Sequence, residues 1–160
     1  MDKIKAMILR LIGRSSMASA KGDMQYYPSP NGAFGLVAPV GWLQKTDSDF
    51  LSISSPDGSV SITANAFTKN DGNLEEFAEY RFWSLQGLYT PQSEVSPIKY
   101  GVLREYESAY PSESEKTYYV TAAVQVRNAF VGMAVVTSRK DYNENKSMYI
   151  KVFESIKVNL

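Results

Sequence analysis

The sequence predicts an α+β fold, a single-domain α/β/α sandwich whose mainly antiparallel six-stranded sheet carries a helix on each face, on three observations. Two strand-like runs, residues 117–127 and 130–136, meet at Arg127 and Asn128 with room for only a turn. The first alternates, with Tyr118, Val120, Ala122 and Val124 on one side and Tyr119, Thr121, Ala123 and Gln125 on the other, the period of a strand with one dry face. The second is apolar at nearly every position except Gly132, the pattern of a strand covered on both sides. Such a sheet needs layers above and below, and amphipathic stretches at 74–89 and after Asp141 can supply them.

In chain order, residues 1–16 place Ile4, Met7, Ile8, Leu11 and Ile12 on one face, with Lys3, Arg10 and Arg14 mostly off it, a short basic amphipathic helix. It reads in three ways. As a secretory signal it has a basic start and an Ala18-Ser19-Ala20 triplet, although Arg10 interrupts the apolar run. As an organelle presequence it is rich in arginine and serine and poor in acids. As a plain helix it docks on the body or makes peripheral contact with a membrane surface. It falls short of the roughly 20 apolar residues a span requires. The first two readings put the protein in an exported or organellar compartment, the third in the cytoplasm.

Residues 21–32, with Pro28, Pro30 and Asn31-Gly32, read as a linker, which sets the domain at 33–160 and the N-terminal segment at 1–32. Phe34 to Ala38 is a short strand stopped by Pro39. Residues 50–54 and 59–67 flank Ser55-Pro56-Asp57-Gly58, whose proline at the second position and glycine at the fourth suit a type I turn, so they form a hairpin. Asn73 with Glu76 three residues later is a capping pair opening a helix over 74–89. Its apolar face gathers Phe77, Ala78, Phe82, Leu85, Leu88 and Tyr89, with Arg81 in the middle. An arginine there either reaches solvent at the edge or pairs with a carboxylate, because an unpaired buried charge costs several kcal/mol. Tyr80 and Trp83 lie on the opposite face, beside Glu76. A strand over 98–107, an acidic turn at 111–115 and a final helix capped by Asp141 and Glu144, with Tyr142, Tyr149, Val152 and Phe153 inward, complete the order.

Composition removes many chemistries. There is no cysteine and no histidine, which excludes thiolate nucleophiles, disulfides, Ser-His-Asp and Cys-His catalysis and the usual zinc sites. Seventeen basic and seventeen acidic residues cancel overall. The first 21 residues carry five basic groups and one acid, net +4, leaving twelve basic and sixteen acidic groups, net −4, for the rest. No phosphate loop, dinucleotide fingerprint or basic stripe is present, so neither a nucleotide cofactor nor a nucleic-acid partner is expected. Asp47 with Asp49 and Glu113 with Glu115 are candidate oxygen ligands by type, but such pairs are usually solvated loop charges, and no metal is expected. Glu105, Glu107, Glu113 and Glu115 are the candidates for a carboxylate-based hydrolase, again by type alone. Asn145-Lys146-Ser147 matches a glycosylation sequon but lies inside a helical stretch.

Phe34-Gly-Leu-Val-Ala-Pro-Val-Gly-Trp42, the hairpin after it, Leu74-Glu-Glu-Phe77, Tyr106-Glu-Ser108, Lys116-Thr-Tyr-Tyr-Val120 and Phe153-Glu-Ser-Ile156 together resemble the PsbP-like superfamily, which includes PsbP of photosystem II, Ran-binding Mog-type proteins, DcrB-type envelope proteins and type VI secretion effector chaperones. The resemblance covers about 33–158 and implies a sandwich fold and a non-catalytic binding, assembly or chaperone role with a protein partner. The missing lipobox cysteine sets this chain apart from the lipid-anchored members, and the missing histidine from metal-binding ones. Three function classes follow: a protein-binding module using Tyr80 and Trp83, a small-molecule or lipid carrier using its many tyrosines, and a carboxylate hydrolase. A flat aromatic patch favours the first, and a pocket of several hundred Å³ lined by tyrosines the second.

Overall fold

A computed structural model describes residues 22–46, 49–68, 72–108 and 117–159. At its centre is the hairpin of β9 (Tyr118–Val126) and β10 (Ala129–Thr137), paired in register from Val126 opposite Ala129 to Tyr118 opposite Thr137. Arg127 turns the chain at φ 54, in the left-handed region that a tight two-residue connection requires. The outer edge of β10 pairs with β5 (Ser61–Thr68), followed by β4 (Leu51–Ser54) and β3 (Leu43–Lys45). The outer edge of β9 pairs with β8 (Gly101–Ser108), whose far side is shared by β6 (Tyr89–Pro91) and β7 (Ser96–Ile98). Every pairing between these strands is antiparallel.

The large sheet therefore has eight strands, not six. β3, β6 and β7 have three residues each, too few to show a period. The strand expected at Phe34 is β2 (Phe34–Pro39), which belongs to a separate three-stranded sheet between β1 (Met24–Pro28) and β11 (Lys157–Val158). β1 corrects the linker reading of 21–32. Tyr27 in that strand is buried, and its hydroxyl donates to the Pro39 carbonyl at 2.6 Å and accepts from the Trp42 amide at 3.1 Å. The domain thus begins at least as early as Met24, while residues 1–21 lie outside the described residues.

Among the described residues, two helices pack on the large sheet. α1 spans Leu74–Trp83 and α2 spans Arg139–Glu154. The Phe77 ring of α1 stacks 5.1 Å from Phe130, and Phe82 lies 6.4 Å from Tyr106. Tyr142 of α2 lies 5.6 Å from Tyr118 and stacks on Tyr149 at 5.8 Å. The helices thus meet alternate positions of the sheet: α2 meets Tyr118, while the turn after α1 brings Tyr89 within 5.0 Å of Tyr119. The main core joins Val120, Val124, Met133 and Val135 of the central hairpin and Ile53 and Ile62 of β4 and β5 to Leu36 of β2 and to Val152 and Phe153, and burying such a side chain contributes about 1.5–3 kcal/mol.

Both helix boundaries differ from the expected ones. α1 ends at Trp83, where the Leu85 and Gln86 amides bond back only three residues, to Phe82 and Trp83, and Gly87, at φ 84, then redirects the chain so that Tyr89 pairs with Ser108; Leu88, expected inward, is exposed. α2 is capped by Ser138, whose hydroxyl accepts from the Asp141 amide at 3.0 Å, so Asp141 is the third helical residue rather than the cap. Asp141 instead holds the interior. It accepts from Thr137 at 2.7 Å, from the Asn145 amide group at 2.9 Å and from the Tyr149 hydroxyl. Asn145, at φ −121 and ψ 21, interrupts the helical backbone there and is buried, which removes the sequon as a glycosylation site on the folded chain.

Candidate docking surface

The phase of α1 is set at its first turn. Asn73 accepts from the Glu76 amide at 2.9 Å, and the Glu76 carboxylate accepts from the Asn73 amide at 3.2 Å, the reciprocal capping box the sequence spelled out. With that start fixed, Phe77, Ala78, Arg81 and Phe82 turn toward the sheet, and Glu75, Glu76, Glu79, Tyr80 and Trp83 are exposed. Tyr80 is 68% and Trp83 64% exposed, and their rings stack at 6.3 Å with a 29° interplanar angle. Two large aromatics three positions apart on a helix are surface neighbours, so this pair forms without help from other elements. Leu88, 61% exposed, lies in the turn that follows.

Beside the pair opens a groove of about 320 Å³, walled by Glu79, Phe82, Trp83 and Gln86 from α1 and its following turn, by Tyr89, Pro91 and Val95 from the β6 side, and by Arg104 and Tyr106 from β8. The guanidinium of Arg104 lies 5.6 Å from the Tyr106 ring and donates to the Ser93 carbonyl at 3.0 Å. Burial raises the pKa of Tyr106, so its hydroxyl stays neutral across the physiological range. The groove thus combines an aromatic floor with a few polar groups at its walls, and its volume is at the lower end of ligand pockets.

Arg81 takes neither of its two expected arrangements. Its Nε and Nη2 donate to the Thr121 hydroxyl at 3.1 and 2.8 Å, and Nη2 also reaches the Met133 carbonyl at 3.2 Å. Among the described residues no carboxylate is within ion-pair distance of it; a hydroxyl and a carbonyl, both neutral, hold the charge. Burial lowers its pKa, opposed by Tyr119. The missing side chain at Gly132 makes the space: a Cβ there would lie 2.1 Å from Nη1. The one gap in an otherwise apolar strand, facing the one cation on an apolar helix face, was the sequence signal for this contact.

Of the candidate carboxylates, the two on β8 are held by tyrosine and cation partners. Glu105 is buried, accepts from the Tyr118 hydroxyl at 2.5 Å and pairs with Lys146 at 2.9 Å. Glu107 pairs with Arg139 at 2.8 Å. Asp49 is exposed, and Asp47, Glu113 and Glu115 lie outside the described residues. Among the described residues, no group of three or more acidic side chains could hold a metal ion, and no helix is long and apolar enough to cross a membrane. The tyrosine and carboxylate network under α2, which sequence reasoning did not foresee, is interior: burial raises the pKa of Tyr118, Tyr142 and Tyr149.

No protein-family model and no curated protein matches the chain. Solved structures do. Mog1p, a Ran-binding protein of Saccharomyces cerevisiae, superposes with a TM-score of 0.60 at 12% identity, over 86% of this chain and 96% of Mog1p. The cyanobacterial PsbP (CyanoP) of Synechocystis superposes with a TM-score of 0.57 at 16% identity, over 84% and 92%. A protein of Bacteroides thetaiotaomicron gives 0.57 at 12% identity over 84% of this chain, which spans only 48% of that longer protein. At these identities the likeness is one of fold, and the chain has the PsbP-like/Mog1 fold.

Proposed function

We propose that this protein is a non-catalytic protein-binding module, of the assembly or chaperone kind, which docks its partner on Tyr80, Trp83 and the adjoining groove. The observation that carries this reading is the exposed stacked pair on a helix whose inward side is already occupied by Phe77, Arg81 and Phe82. With the inward side of α1 so occupied, these rings have no place in its packing against the sheet. Aromatic side chains in that position are the residue types that dominate interface energetics. The likeness to a Ran-binding protein supports a protein partner in general.

The test compares capture from the protein's own cell extract by the wild type, Trp83→Ala and Tyr100→Ala, the last an exposed aromatic on a distant turn. A partner lost from Trp83→Ala alone supports the reading, and one retained by all three contradicts it. A second reading, carriage of a small apolar molecule, draws support from the 320 Å³ groove and its two tyrosines, Tyr89 and Tyr106. It predicts that a small ligand co-purifies with the protein and protects Tyr89 from modification.

A further inference from the structure

Building on the docking reading above, we infer that the segment bound at Tyr80 and Trp83 is cationic, an extended stretch bearing arginine or lysine. The outward side of α1 presents Glu75, Glu76 and Glu79 around the two rings, and Glu94 is exposed on the connection next to the groove-lining Val95. Between residues 72 and 98 the sole cation is Arg81, which is turned inward onto Thr121. Arg104, the one cation of the groove wall, is already held over Tyr106 and on the Ser93 carbonyl.

The surface is thus aromatic at its centre and anionic at its rim, with no exposed counter-charge from the same stretch of chain. A guanidinium or ammonium laid over the indole of Trp83 gains cation–π attraction, and the surrounding carboxylates complement its charge without losing contact with water. An acidic or purely apolar segment would meet the same rings but leave the carboxylates uncompensated. Glu79 is placed to contribute most, since it both lines the groove and stands one helical turn before Trp83.

The test uses the full chain and a random dodecapeptide display library, selected on the wild type and counter-selected on Trp83→Ala. Enriched peptides are then synthesised and titrated. The expected result is enrichment of arginine- and lysine-bearing sequences whose affinity falls by about 30-fold or more in Trp83→Ala, as for a hot-spot residue. It should also fall by about 2- to 30-fold in the double variant Glu75→Gln, Glu79→Gln, and decline with added salt. Glu76 is left intact because its side chain closes the capping box. Enriched peptides that depend on Trp83 but are apolar or acidic, and are indifferent to the double variant, overturn the cationic inference and leave the docking reading standing. A selection that yields no peptide dependent on Trp83 overturns both.

Discussion

Replacing Thr121 by valine should cost more stability than replacing Arg81 by methionine, although the arginine is the charged member of the pair. The Thr121 hydroxyl accepts two N–H groups from Arg81 and donates to the Met133 carbonyl at 3.1 Å. Valine leaves the buried guanidinium with only the Met133 carbonyl of these acceptors, and bonds to charged groups contribute about 1.5–3 kcal/mol each. The two share one oxygen, so a loss of about 2–4 kcal/mol is expected. Methionine at position 81 removes the charge together with its desolvation cost, and leaves Thr121 still bonded to Met133, so that loss should be only about 0–1.5 kcal/mol. In the methionine background Thr121→Val should cost about 1 kcal/mol, the worth of one neutral hydrogen bond. Urea unfolding of the four proteins of this cycle measures all of these terms. A cost of 3 kcal/mol or more for Arg81→Met, of the size seen when a buried ion pair is broken, would refute the neutral-acceptor account. So would a Thr121→Val cost that is no smaller in that background.

Three further outcomes follow from the packing. Tyr142→Phe should be neutral or stabilising, because its buried hydroxyl has no hydrogen-bond partner among the described residues, whereas Tyr149→Phe should cost about 1–2 kcal/mol by taking a donor from Asp141; equal effects in thermal melts would contradict this. Burial raises the pKa of Tyr27, Tyr106, Tyr118, Tyr119, Tyr142 and Tyr149 above the unfolded value of about 10. The stability they contribute is complete below that pH and lost as pH rises beyond it. Phenolate absorbance should therefore jump with loss of circular dichroism, and smooth titration of all eleven tyrosines in an intact fold would be the contrary result. Removing residues 1–32 should abolish a cooperative melt by stripping β1 and Tyr27, whereas a chain starting at Gly22 keeps every described contact; coincident melts of the two truncations would disprove the role of β1.

The sequence was informative where a period ran long enough to be read. The β9–β10 hairpin, with its turn at Arg127, and the capping box at Asn73 and Glu76 form as the residues spell them. β1 was hidden because Pro28 and Asn31-Gly32 signal a turn, and nothing local reveals that Tyr27 reaches Pro39 and Trp42. The sixteen-residue helix expected over 74–89 merged α1 with the turn that follows, because Leu85, Leu88 and Tyr89 continue the helical spacing; Gly87 turns the chain away through a backbone angle that spacing does not encode. The side of α1 on which Tyr80 and Trp83 stand was legible from phase alone, whereas their exposure was not, since phase does not say whether a loop or the N-terminal segment covers Trp83. The groove was not, since Tyr89, Arg104 and Tyr106 reach it from other strands, and only the pairing of β6 with β8 brings them together.

The central claim, that Trp83 stands free on the isolated protein and is covered only by a partner, is tested most directly by its fluorescence in a Trp42→Phe background. Trp42 is buried and its ring N–H has no hydrogen-bond partner among the described residues, so phenylalanine there strands no polar group. In the full chain alone, Trp83 should emit at a water-exposed wavelength and be quenched freely by acrylamide. Trp83→Ala should leave the melting temperature nearly unchanged. A blue-shifted, quencher-protected Trp83 in the isolated chain, with a loss of about 3–5 kcal/mol on truncation to alanine, would show that the ring belongs to the fold and contradict the account.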